Sequence, residues 1–150
     1  MSYVTTAQLS QRLGATLYAR LTDRVNGTTA DPAVGQQIVD EAQAEADSYF
    51  ARRYETPLNL SAHPELANVL EARVLDLAEY AAWKSSPFVS DPPQRVHALY
   101  AAALTWLEEV AAGRLVLPAA SPPSSCTAVD EGPRYRGAPR AFTAEELEGL

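Results

Sequence analysis

The sequence predicts an all-α protein: a small helical bundle of three long helices, with two short N-terminal helices before them and an extended C-terminal tail after them. Three observations predict it. The chain is 47% apolar, and much of that share is alanine, which favours closely packed helices over sheet. Proline-marked helix starts recur at Asp31-Pro32, His63-Pro64 and Asp91-Pro92-Pro93, each before a long run of helical periodicity. Gly14 and Gly113 supply stops of the kind that end helices. At 150 residues the chain is long enough for one domain with a real core. The expected division is a helical domain over residues 1–118 and an extended partner-binding tail over 119–150.

Thr5 with Gln8 three residues on is a capping-box pattern, and Val4 and Leu9 stand where a hydrophobic staple would cross it. The first short helix runs from there to about Leu13. Residues 15–21 form the second, with Leu17 and Leu21 as anchors. Asn26-Gly27 marks an exposed loop. Its acids do not follow the EF-hand spacing, so Asp31 reads as a helix cap and not as a calcium ligand.

The stretch from Asp31 to Leu60 is the expected spine. Val34, Ile38, Ala42, Ala46, Tyr49 and Tyr54 lie close to one face, Gly35 is the one breaker, and the helix is expected to end near Tyr54. Pro57 disfavours helix at Thr56. Leu58 and Leu60 are expected to pin the following loop to the core.

The next helix opens at His63-Pro64-Glu65 and buries Leu66, Val69, Leu70, Val74, Leu77, Ala78 and Ala81. Arg73, Asp76, Glu79 and Lys84 fall off that stripe or at its edges. Tyr80 and Trp83 read equally as core edges or partner contacts. The last long helix is expected to start behind an Asp91 cap and reach about Ala112. Its apolar face is Val96, Leu99, Tyr100, Ala103, Leu107, Val110 and Ala111. Trp106 lies off that face, where it would cover the short helices or meet another subunit.

After Pro118 the composition changes to Ala, Ser and Pro, which reads as a linker. Pro133–Phe142 is then a small basic patch with two aromatics, carrying Arg134, Tyr135, Arg136, Arg140 and Phe142. Thr143 and Glu146 offer a last capping box. The tail is expected to be ordered against a partner.

The sequence offers little chemistry. His63 and His97 have no Cys or His at ligand spacing, and no nucleophile elbow surrounds the serines. The seven glycines form no phosphate or dinucleotide loop. Glu41 and Glu45 share a helix face, but no histidine or lysine joins them in an obvious acid–base set. No enzyme activity, metal or cofactor is expected. The single cysteine, Cys126, excludes an internal disulfide. No apolar run is long enough to span a bilayer, and no signal peptide is expected. The net charge of −7 argues against general DNA binding, whereas an acidic lumen would let DNA pass without sticking.

Several stretches together resemble the small head–tail connector proteins of tailed bacteriophages, in particular the Mu-like connector (adaptor) family. They are Tyr3-Val-Thr-Thr-Ala-Gln-Leu9, Leu21-Thr-Asp-Arg24, and the acidic helix ending Asp47-Ser-Tyr-Phe-Ala-Arg-Arg-Tyr54 before Pro57-Leu58. The last is Ala103–Pro118, a helix closing in Gly113 and a short extended run. The resemblance covers about residues 3–118, leaves the stretch between Ala82 and Asp91 (Trp83-Lys-Ser-Ser-Pro-Phe-Val89) unmatched and does not reach the tail.

It implies a non-enzymatic structural ring, twelve copies expected, between the portal protein and a tail or stopper protein. DNA would pass through the lumen without specific binding. The location implied is the virion head–tail junction, after virion assembly in the bacterial cytoplasm; an infectious phage, a prophage and a gene transfer agent fit equally. It also implies that termini grip the portal or the next tail component. Interface candidates are Arg52, Arg53, Tyr54, Tyr80, Trp83 and Trp106, together with Arg134, Tyr135, Arg136, Arg140 and Phe142. For Arg52 and Arg53, simple helix termination and an intersubunit salt bridge are both open. The alternatives are a small non-enzymatic helical binding module and a tail-completion protein.

Overall fold

A computed structural model of the chain describes residues 2–59, 64–89 and 91–117, without the side chain of Glu65. Five helices follow in order: α1 Thr6–Leu13, α2 Ala15–Thr22, α3 Pro32–Phe50, α4 Pro64–Ser85 and α5 Gln94–Ala111. No strand occurs among the described residues. The all-α class, with two short helices before three long ones, is the one the sequence predicts.

The local signals act as read. Thr5 accepts the Gln8 N–H at 3.3 Å, and the Gln8 side chain accepts the Thr5 N–H at 2.7 Å. Val4 and Leu9, the two ends of the staple, are both buried. Gly14, at φ +82°, closes α1 and opens α2. Asp31 caps α3 by accepting the Ala33 N–H at 2.8 Å, with Pro32 in the first turn.

α3, α4 and α5 pack on one another, and α1 and α2 lie against α3 and α4 without touching α5. The spine expectation therefore holds for α3, which meets every other helix; α4 does so as well. Phe50, Leu70, Leu77, Leu107 and Ile38 are among the largest side chains closed off in the shared core.

Several details differ from the sequence reading. α3 ends at Phe50 and not near Tyr54, because the chain tightens into a turn in which Arg53 N–H bonds the Phe50 carbonyl at 2.9 Å. Gly35 is no stray breaker: a Cβ there would overlap the Tyr18 hydroxyl, so the glycine lets α2 approach α3. Pro93, not Asp91, occupies the cap position of α5, and no side-chain cap bond is made there among the described residues. Val69 is 43% exposed, while Asp76 and Glu79 are only 6% and 3% exposed. These acids were expected at the edge of the stripe. They are buried because α4 is packed by neighbours on most sides. The Trp106 ring stands edge-on to Phe50 of α3 at 6.3 Å. Leu60 and the whole tail from Pro118 lie outside the described residues.

Candidate functional site

Three clusters of polar side chains organise the bundle. The first ties three loose segments to the end of α3. Tyr3 donates its hydroxyl to Asp47 at 2.6 Å and accepts the Leu58 N–H at 2.8 Å. Burial, then the bond to Asp47, raises the Tyr3 phenol well above its ordinary pKa. Tyr54 accepts the Leu117 N–H at 3.0 Å. The N-terminal arm, the loop after α3 and the run after α5 thus converge on one end. The structure places Tyr54 inside its own chain.

Beside it, the two arginines remain exposed. The Arg52 guanidinium lies 5.7 Å from the Tyr49 ring centroid, and that of Arg53 fills the space where a Cβ on Gly113 would stand. Neither makes an ion pair among the described residues. Their side chains act within the helix end and against the close of α5.

The second cluster is a buried ion network. Arg12 of α1 pairs with Asp76 and donates Nε–H to Glu79 at 2.8 Å. Arg95 of α5 reaches the other Glu79 oxygen at 3.0 Å, and Arg73 stands 3.7 Å from Asp76. Both oxygens of both carboxylates face a cation. The network locks α1 and α5 onto α4.

The third cluster is a groove of about 260 Å³ where α3, α4 and α5 meet. Tyr80 and Tyr100 stack with centroids 4.0 Å apart, and His97 meets Tyr80 edge-on at 5.3 Å. Tyr100 donates to Glu45 at 3.2 Å. Burial, then the Glu45 charge, pushes the Tyr100 phenol up to about 12. Glu41 stands one turn from Glu45 on the same wall. Trp83 is half-buried, with its indole N–H enclosed and without a partner among the described residues.

At the opposite kind of surface, the α2–α3 loop is built around Asp23. Its carboxylate accepts the N–H groups of Val25, Asn26, Thr28 and Thr29 at 2.7–3.2 Å. Those bonds, with Thr29 foremost, hold it below the usual carboxylate range. Arg24 donates to the Ser85 carbonyl, and Ser86 donates to that of Arg20 at 3.3 Å. Phe88 lies against Gly27, and Val25 stands 77% exposed at the tip.

Of the interface candidates, the structure brings Arg52, Arg53 and Tyr54 to one end and Tyr80 to the groove. Trp83 and Trp106 sit half-buried on the core. Arg134, Tyr135, Arg136, Arg140 and Phe142 lie outside the described residues. Sequence reasoning missed the Asp23 loop and the Arg12 network. The one signal for the latter was two acids set among Leu75, Leu77 and Ala78. Among the described residues no group of acids, histidines or cysteines could hold a metal, and no helix is long and apolar enough to cross a membrane.

Two of the buried carboxylates, Asp76 and Glu79, are paired with arginines, and the bundle's structural class is given by the family it matches. Residues 3–132 match the family model described as Bacteriophage Mu, Gp36, and the chain belongs to that family of structural head–tail connectors. The match runs past Pro118 to Gly132, further than the resemblance read from the sequence, and stops just before the basic patch. The family is non-catalytic, and its place is the head–tail junction, in contact with portal or tail components. No curated protein matches the chain.

Proposed function

We propose that the protein is a non-enzymatic ring adaptor. Twelve copies would sit between the portal protein and a tail or stopper protein, with DNA passing through the lumen. The observation that carries this reading is the family match over residues 3–132. The net charge of −7 supports a ring that DNA passes without electrostatic adhesion. Membership of a structural family supports the absence of catalysis. Assembly would take place in the bacterial cytoplasm.

Residues 1–118 would form the ring-building domain and 119–150 the partner-binding tail. Arg52, Arg53, Tyr80, Trp83 and Trp106 are the interface side chains proposed on the bundle, and Arg134, Tyr135, Arg136, Arg140 and Phe142 those on the tail. Two arginines just after α3, with no ion pair among the described residues, are suited to bidentate contact with a neighbour's carboxylates. A tail-completion role is less well supported, since such proteins are expected to show more strand.

The test is co-expression with a portal protein and a tail protein of a Mu-like phage, read by mass photometry and electron microscopy. A cyclic complex is expected. A monomer that never binds either neighbour would overturn the proposal.

A further inference from the structure

The groove between α3, α4 and α5 has a composition suited to one kind of guest. Its floor is apolar, made by Ala42, Leu77 and Ala81. One wall is the stacked Tyr80–Tyr100 pair and the other carries Glu41 and Glu45. Glu45 gives one oxygen to Tyr100, and Glu41 gives one to the Gln37 amide at 2.9 Å. Each keeps a second oxygen. Lys84 is the cation on the rim and makes no ion pair among the described residues, so the two carboxylates outweigh it. At about 260 Å³ the space suits one or two side chains and is small for a cofactor. A planar guanidinium fits best: it can lie on an aromatic face and present parallel N–H groups to a carboxylate.

The bundle's own arginines are largely engaged elsewhere. Arg12, Arg73 and Arg95 face Asp76 and Glu79, Arg24 holds the Ser85 carbonyl, Arg52 covers Tyr49 and Arg53 lies against Gly113. The remaining concentration of positive charge is Pro133–Phe142, where Arg134, Arg136 and Arg140 stand with Tyr135 and Phe142 and no acid. This segment begins directly after the last residue matched by the family model.

We infer that Pro133–Phe142 seats in the groove of its own chain, with an arginine on the Tyr80–Tyr100 stack and its guanidinium on Glu41 and Glu45. Reach permits it. The 17 residues from Leu117 to Arg134 span at most about 60 Å. Tyr100 lies only about 16 Å along α5 from the helix end at Ala111. Tethering makes the encounter unimolecular, which favours the chain's own segment over that of a second copy. The inference concerns the chain outside the assembly, before any partner engages these side chains, so it does not depend on the ring proposal and its test needs no portal.

The test uses the full chain with Tyr135 replaced by the photocrosslinking residue benzoylphenylalanine. Irradiation is followed by gel separation and peptide mapping. The expected result is a crosslink within the monomer band, mapping to residues 41–45, 77–84 or 100. Its yield should fall roughly fivefold in Glu41→Gln/Glu45→Gln and in Arg134→Ser/Arg136→Ser/Arg140→Ser, and at high salt. The arginine variant leaves the bundle untouched, so loss of fold cannot mimic the effect. Crosslinks scattered over the bundle, or unchanged by either variant, would overturn the inference. A crosslink found only in the dimer band would assign the segment to a second copy and overturn it as well.

Discussion

At the residue scale, what could be read from the sequence depended on how far each side chain reaches. The caps at Thr5 and Asp31 were legible because cap and partner lie within three residues. Gly35 and Asp23 were not. The space at Gly35 is taken by Tyr18, from a different helix, and the Asp23 carboxylate gathers a loop whose conformation the spacing does not reveal. Gly35→Ala sets two effects against each other. Alanine in a helix interior gains about 1 kcal/mol over glycine, but overpacking costs about 1–3 kcal/mol. Because the overlapping atom belongs to a buried tyrosine, the net effect should be a loss of stability in chemical denaturation, partly restored by Tyr18→Phe. Asp23 gives a pH dependence. Its folded pKa is depressed, so its stabilisation is present above about 3.9, the unfolded value, and fades as pH falls toward the folded one. Asp23→Asn should therefore melt lower than the parent near neutral pH, and the gap should narrow in melts below pH 4.

At the element scale, periodicity identified the helices and most of their inward faces, but it misjudged how much of α4 is covered. A single stripe describes a helix with one buried side. α4 is touched by four others, so Asp76 and Glu79 are enclosed although they stand off the apolar stripe. Their enclosure requires Arg12, 64 positions from Asp76 in sequence, which no local pattern could indicate. The arrangement makes the two arginines on Glu79 unequal. Arg12 bridges both carboxylates with its side chain 25% exposed, whereas that of Arg95 is 72% exposed. Arg12→Met should cost about 3 kcal/mol by leaving buried charge uncompensated, while Arg95→Met should cost less than about 1 kcal/mol. Urea denaturation of the two variants measures the difference. Equal losses would mean that Arg12 is not the bridge between α1 and α4.

At the scale of the whole molecule, the bundle closes on itself before the tail begins. Leu117 is buried, and its N–H is held by Tyr54, so the run after α5 is anchored at the same end as the N-terminal arm and the loop after α3. Tyr3 and Phe50 meet edge-on at 6.4 Å, and Phe50 meets Trp106 in the same way, so this end is continuous with the core. Among the described residues, these contacts are made without any residue beyond Leu117. A chain ending at Pro118 should therefore keep its helical circular dichroism and melt within about 5 °C of the full chain, a shift of about 1 kcal/mol or less. If residues 119–150 serve as the partner-binding tail, the same truncation should sharply lower recovery of the complex with portal or tail protein. The two readouts separate the roles. Unfolding on truncation would make the tail part of the core, whereas an intact bundle that assembles as well as the full chain would remove the tail from the interface and leave the ends of α3, α4 and α5 to make it.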